Sequence, residues 1–209
     1  MKKLFIVGAG GFGREIFSWA SDHPDCGKEW EIAGFLDDNP RALDNYNLPV
    51  SDIMPVAGHL PEQLAYYVCA IGSPAVKRQV CESLESRGAQ FISLVHPSVA
   101  LGRGVILGRG VVLCPHVTLT CDINLGDFVM FNCYSSAGHD VVVGDWTTIS
   151  GHCDLTGHCH LERAVFLGSG ARVIPGKRIG AEAYIGAGSV VIQSIPPQAK
   201  VFGNPAQEV

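Results

Sequence analysis

Residues 99–131 read VALGRGVILGRGVVLCPHVTLTCDINLGDFVMF, and an apolar residue returns at every sixth place: Leu101, Leu107, Leu113, Leu119, Leu125 and Phe131. The beat runs back to Val95 and on through Ala137, Val143, Ile149, Leu155, Leu161, Leu167, Val173, Ile179 and Ile185 to Val191, seventeen positions without a polar residue. With 47% of the chain hydrophobic, an uninterrupted run of that length is not a matter of chance. The place two before the beat is small or β-branched, as at Val99, Val105, Val111, Val117, Ile123, Val129 and Ser135, and the place after it is often glycine, as at Gly102, Gly108, Gly126 and Gly138. A six-residue repeat of this kind predicts a parallel β-helix, one short strand and one corner per hexad. Alternation along a strand turns the beat residue and the one two before it into the same interior, and the glycine is expected to permit the turn.

The first ninety residues follow another pattern. A hydrophobic strand over Lys3–Val7 leads into Gly8-Ala9-Gly10-Gly11-Phe12-Gly13 and a helix expected over Arg14–Ala20. Strands are expected at Glu31–Leu36, ending on Asp37-Asp38, near Tyr67–Ile71, ending on Gly72-Ser73-Pro74, and at Gln90–Val95, with a helix over Ala75–Arg87. Strands alternating with helices predict a small parallel sheet, an α/β Rossmann-like domain over 1–95 ahead of the all-β domain over 96–209. His96-Pro97-Ser98 forms the linker, where proline imposes an extended path.

Gly8-x-Gly10-x-x-Gly13 between a strand and a helix suits a phosphate at the helix N-terminus, and Asp37 at the end of the second strand can meet a ribose or base. The unit is too small for a full redox dinucleotide site, so a nucleotide-bearing small molecule fits it better than NAD. Gly10, Gly11, Phe12, Asp37, Asp38 and Ser73 are the candidate substrate contacts. A net charge of -5 leaves no electrostatic footprint for nucleic acid. No run of eighteen apolar residues and no signal peptide is present, so a cytoplasmic address without membrane insertion is expected. There the eight cysteines are free thiols, with Cys153 and Cys159 in the core two places before a beat.

Gly-Ala-Gly-Gly-Phe-Gly-Arg-Glu at 8–15, Phe35-Leu36-Asp37-Asp38, Ile71-Gly72-Ser73, His96-Pro97, Gly138-His139-Asp140, Ile185-Gly186-Ala187-Gly188-Ser189-Val190-Val191 and Gly203-Asn204-Pro205-Ala206, in that order, resemble the NeuD/PglD family of sugar acyltransferases over the whole chain. The resemblance implies a left-handed β-helix, a homotrimer, and transfer from acetyl-CoA to a nucleotide-linked amino sugar or, in another branch, to sialic acid. The glycine turn with Asp37 and Asp38 favours N-acetylation of a nucleotide-linked amino-deoxy sugar over sialic acid O-acetylation.

Acyl transfer needs a base for the attacking group, and histidine is the natural one. The resemblance assigns that role to His139. Asp140 beside it is the candidate to hold its ring, provided a corner turns the two side chains together, since strand neighbours point apart. Asn132 and Gly157 match family positions lining the acetyl group, Gly157 as an amide donor to the developing oxyanion. Where some relatives carry a second histidine nine residues after the base, this chain has Thr148. The resemblance further lays coenzyme A along Gly186, Ala187 and Gly188 with its adenine end near Gly203, Asn204 and Pro205. Arg172, Lys177, Arg178 and Lys200 are the cations near enough to meet phosphates. No metal is expected. Two rival classes remain: a γ-carbonic-anhydrase-like zinc protein, using His116, His152, His158 and His160, and a nucleotide-binding scaffold without chemistry.

Overall fold

The computed structural model describes residues 1–209 and divides into two units, Met1–Gly72 with Val76–Leu94, and Ser73–Ala75 with Val95–Val209. In the first, strands β1 (Lys2–Val7), β2 (Trp30–Leu36), β3 (Ile53–Met54) and β4 (Ala65–Cys69) form a parallel sheet in the order β3-β2-β1-β4. Leu4 to Val7 are all buried, the continuous apolar run of a central parallel strand. Helix α1 (Gly11–Ser21) lies against β1 and β2 and buries Gly13, Ile16, Phe17 and Ala20, a stripe at helical spacing.

Helix α1 starts three residues ahead of the expected Arg14, because Gly10 caps it from inside the glycine turn with φ -73° and ψ -163°. Gly13 fits only without a side chain: a Cβ there would overlap the carbonyl of Gly8. Helix α2 covers Pro74–Ser86. The strand expected over Gln90–Val95 shrinks to Leu94–Val95, which joins a sheet of the repeat region, while Phe91 makes an isolated bridge to Tyr67. The two-residue β3 had no counterpart in the sequence reading, since two residues cannot display an alternation.

In the second unit every hexad supplies a two-residue strand ending on its beat residue, and strands eighteen residues apart pair in parallel, as Ser136–Ala137 does with Thr118–Leu119 and Asp154–Leu155. Three sheets result, each taking every third hexad. From Leu113 onward the beat residues are buried in one core, together with Val111, Val117, Ile123, Val129, Cys153 and Cys159. Each Val, Leu, Ile or Phe among them contributes about 1.5–3 kcal/mol. Leu101, at the open end, is 47% exposed. Ser135 is buried at an inward place, and its hydroxyl is satisfied by donating to the Ser150 carbonyl at 2.7 Å and accepting the Cys153 amide at 3.1 Å.

The glycines after the beat do a different job from the one expected of them. Left-handed backbone falls three places after the beat, and most of its bearers are not glycine: His116, Asp122, Phe128, Tyr134, Asp140, Trp146, His152, His158, Ala164 and Glu182. The glycine immediately after the beat keeps ordinary φ and is required by closeness, because a Cβ at Gly108 would stand 2.6 Å from the Gly126 backbone of the next coil.

Candidate active site

His139 follows Gly138 at the end of the Ser136–Ala137 strand, and Asp140 occupies the left-handed corner with φ 59°. That corner reverses the usual divergence of neighbours, so Asp140 Oδ2 lies 2.8 Å from His139 Nδ1. A carboxylate can only accept here, so in the neutral ring the proton lies on Nδ1 and Nε2 carries the lone pair.

One coil later the register brings Gly157 and His158 alongside. The His158 amide donates to the His139 carbonyl at 2.9 Å. A Cβ on Gly157 would stand 2.6 Å from both Cε1 and Nε2 of His139, so the ring rests on the bare Gly157 backbone. The Gly157 amide donates to no acceptor in the protein, whereas the corresponding amides of Arg109, Asp127 and Ala181 are met by carboxylates from the following or preceding coil. His158 stands edge-on to His139 with ring centroids 4.9 Å apart, and its Nδ1 is 3.7 Å from Asp140 Oδ2. The role of His158 beside Asp140 escaped the sequence reading, although adding one coil of eighteen residues to 140 leads straight to it.

The other candidates are placed as follows. Asn132 turns its Oδ1 onto the Cys133 amide at 2.6 Å and makes no hydrogen bond to His139. Gly186 lies under the Phe202 ring, Ala187 and Gly188 are exposed, and Gly203, Asn204 and Pro205 form the exposed turn between Lys200–Phe202 and Gln207–Glu208, with a cis bond before Pro205. A depression beside this turn is lined by Ile192, Ser194, Ile195, Pro205 and Gln207 and contains none of the His139 cluster. Among the cations, Arg178 is engaged by Glu162 at 3.5 Å, and Arg172 and Lys200 are exposed while Lys177 is half-buried.

In the first unit Gly10 and Gly11 are exposed at the start of α1, with Phe12 half-buried against Trp19 and Ser73 exposed ahead of α2. Asp37 does not stand free: its two oxygens accept the amides of Ala9 and Asn39, each at 2.8 Å. Asp38 Oδ1 accepts the amides of Val56 and Ala57 at 2.9 and 3.2 Å. Asp37 thus ties the glycine turn to the end of β2, and Asp38 ties that end to the segment at Val56 and Ala57. Arg14, unremarked in the sequence, lays its guanidinium on the Tyr46 ring at 3.5 Å with a buried, unpaired Nε.

The zinc arrangement drawn from His116 and His152 does not form. Tyr134 lies between them, stacked on His116 at 4.8 Å and on His152 at 5.2 Å, so the two imidazoles cannot share an ion.

Residues 3–84 match the family described as PglD N-terminal domain. Over 213 residues the chain is 30% identical to GDP-perosamine N-acetyltransferase of Escherichia coli O157:H7, covering 98% of this chain and 95% of that relative. This chain belongs to the NeuD/PglD family of sugar acyltransferases. As a NeuD/PglD acetyltransferase it is similar in structure to the acetyltransferase domain of PglB from Neisseria gonorrhoeae FA1090 in complex with acetyl coenzyme A, with a TM-score of 0.88, 26% identity, and 100% and 99% of the two chains covered. The same TM-score and identity, over 100% and 97% of the chains, relate the NeuD/PglD fold here to a histidine-to-asparagine variant of perosamine N-acetyltransferase from Caulobacter crescentus, in complex with CoA and GDP-perosamine.

Proposed function

We propose that this protein transfers the acetyl group of acetyl-CoA to the amine of a nucleotide-linked amino-deoxy sugar, with His139 as general base. The observation that carries the reading is the local geometry of His139, whose Nδ1 is held by Asp140 at 2.8 Å while the Nε2 edge of its ring lies against the bare backbone of Gly157, a residue whose amide is unpaired. Nε2 takes the proton that the sugar nitrogen sheds as it attacks the thioester carbonyl. The Gly157 N–H donates to the carbonyl oxygen as that oxygen gains charge, and the protonated ring then returns its proton to the leaving thiolate. A base of this kind contributes about 10² to 10⁴ in rate, and one oxyanion donor contributes about 10² to 10³.

Relatives support the choice of substrates: one is named a GDP-perosamine N-acetyltransferase and another binds CoA and GDP-perosamine. The glycine turn opening α1 supplies free amides for the nucleotide phosphates. The tail turn at Gly203 to Pro205 and the glycines at 186 and 188 are assigned to coenzyme A, with Asn132 lining the acetyl end. The active form is a homotrimer. The eight free thiols suit a reducing cytoplasm, and no helix is long and apolar enough to cross a membrane.

Purified protein given acetyl-CoA and a panel of UDP-, dTDP- and GDP-linked amino sugars should release thiol with one class of sugar. His139→Ala should lower turnover by about 10² or more with little change in acetyl-CoA affinity. Acetylation of no nucleotide sugar in the panel, or near-normal turnover in the variant, overturns the reading.

A further inference from the structure

The coil register that sets His158 over Asp140 assembles a donor set in which acyl transfer employs His139 and Asp140 but gives the His158 side chain no part. One donor atom each from His139, Asp140 and His158 can be chosen so that all lie within 4.8 Å of one another. Two donors on one tetrahedral zinc ion stand about 3.3 Å apart, given zinc–nitrogen and zinc–oxygen bonds near 2.0–2.1 Å. The observed separations from Asp140 Oδ2, 2.8 Å to His139 Nδ1 and 3.7 Å to His158 Nδ1, bracket that value. Two imidazoles and a carboxylate match borderline divalent ions of the zinc class rather than calcium or magnesium, which prefer all-oxygen sites. The side chains are 55%, 48% and 65% exposed, so water can fill the remaining coordination position and an ion can enter from solvent. The corner geometry holds the set in place: Asp140 and His158 both sit in left-handed backbone, at φ 59° and 60°, on adjoining coils tied by the His158 amide to the His139 carbonyl.

We propose that His139, Asp140 and His158 bind a single divalent transition ion of the zinc class, and that the bound ion inhibits acyl transfer. Inhibition follows from the chemistry of imidazole. A neutral ring has one lone-pair nitrogen and one N–H. An ion that takes the pair on Nδ1 sends the ring proton to Nε2, and an ion on Nε2 takes the pair directly. In either case no nitrogen of His139 is left to accept a proton from the sugar amine. The site is thus an inhibitory one, distinct in kind from a metal cofactor, and only its inhibitory half rests on His139 being the base.

Zinc titrated into the intact protein by calorimetry, in a buffer that does not chelate and without coenzyme A, should show one ion per chain. Cobalt(II) should develop the visible bands of a tetrahedral nitrogen–oxygen site. His158→Gln should weaken zinc binding at least tenfold and abolish inhibition, judged against the variant's own metal-free turnover. Turnover is followed as acetylated sugar by chromatography, since the released thiol itself binds zinc. Absence of saturable binding, equal affinity in His158→Gln, or zinc-stimulated turnover overturns the proposal. Binding that depends on His158 in a protein that acetylates no sugar leaves the metal site standing and removes the acyl-transfer reading instead.

Discussion

At Gly157 a hydrogen in place of a methyl group decides where the His139 ring lies. A Cβ would come 2.6 Å from Cε1 and Nε2, and the Gly157 backbone is not left-handed, so alanine is acceptable to the main chain and objectionable only to the ring. Gly157→Ala should therefore lower kcat by tenfold or more while moving the melting temperature little and leaving both KM values near the parent's; steady-state kinetics beside a thermal melt checks this, and an unchanged kcat refutes it. Asp37 predicts the opposite balance. Its carboxylate accepts the Ala9 and Asn39 amides, so Asp37→Ala should destabilise the first unit by about 1–3 kcal/mol, read as a lower urea midpoint, before any effect on nucleotide-sugar KM is considered. The sequence made His139 and Asp140 legible because they are adjacent and stand out from a repetitive background. It concealed His158, whose proximity exists only once eighteen residues are wound into a coil. It also presented Asp37 and Asp38 as open to ligand, because the amides that occupy them come from residues up to 28 positions away.

Among the elements, the long periodic ones were readable and the short ones were not. The hexads recur often enough to reveal their strands, but the meaning of their glycines depends on the distance to the next coil, which no single hexad encodes. Helix α2 carries a further consequence. Lys77 on it is fully buried, and burial lowers its amine from 10.5 to about 8, against the opposing influence of the Cys69 and Cys81 thiols. The unfolded chain keeps that proton where the folded chain has released it, so stability rises with pH between about 8 and 10.5, and the cost of the buried amine is fully felt below that window. Lys77→Met should accordingly flatten the rise in stability between about pH 8 and 10.5 relative to the parent, read as urea midpoints across that window. A variant that keeps the parent's alkaline rise would contradict this.

For the whole molecule, the repeat unit leaves Tyr184 and Phe202 exposed on one sheet with ring centroids 5.7 Å apart, apolar surface that a second copy would cover in the proposed homotrimer. Light scattering should report three chains, and dilution to monomers should abolish turnover, because a groove between β-helices requires two of them; an active monomer would remove the trimer from the proposal. The stacking of the strands also makes the second unit a graduated spacer. From Ser136–Ala137, next to His139, the sheet climbs through Asp154–Leu155 and Arg172–Val173 to Val190–Val191, whose Val190 bonds the tail through the Gly203 carbonyl and the Ala206 amide. Those three steps of about 4.8 Å, and a fourth from Val190 to the Gly203 carbonyl it bonds, put the tail roughly 19 Å along the axis from the His139 rung. If the tail holds coenzyme A as proposed, the donor must carry its reactive end that far, which would make length a requirement on the acyl carrier. Excising one coil between the two rungs would keep every strand paired and yet bring the grip one graduation too near, like a spanner set to the wrong bolt.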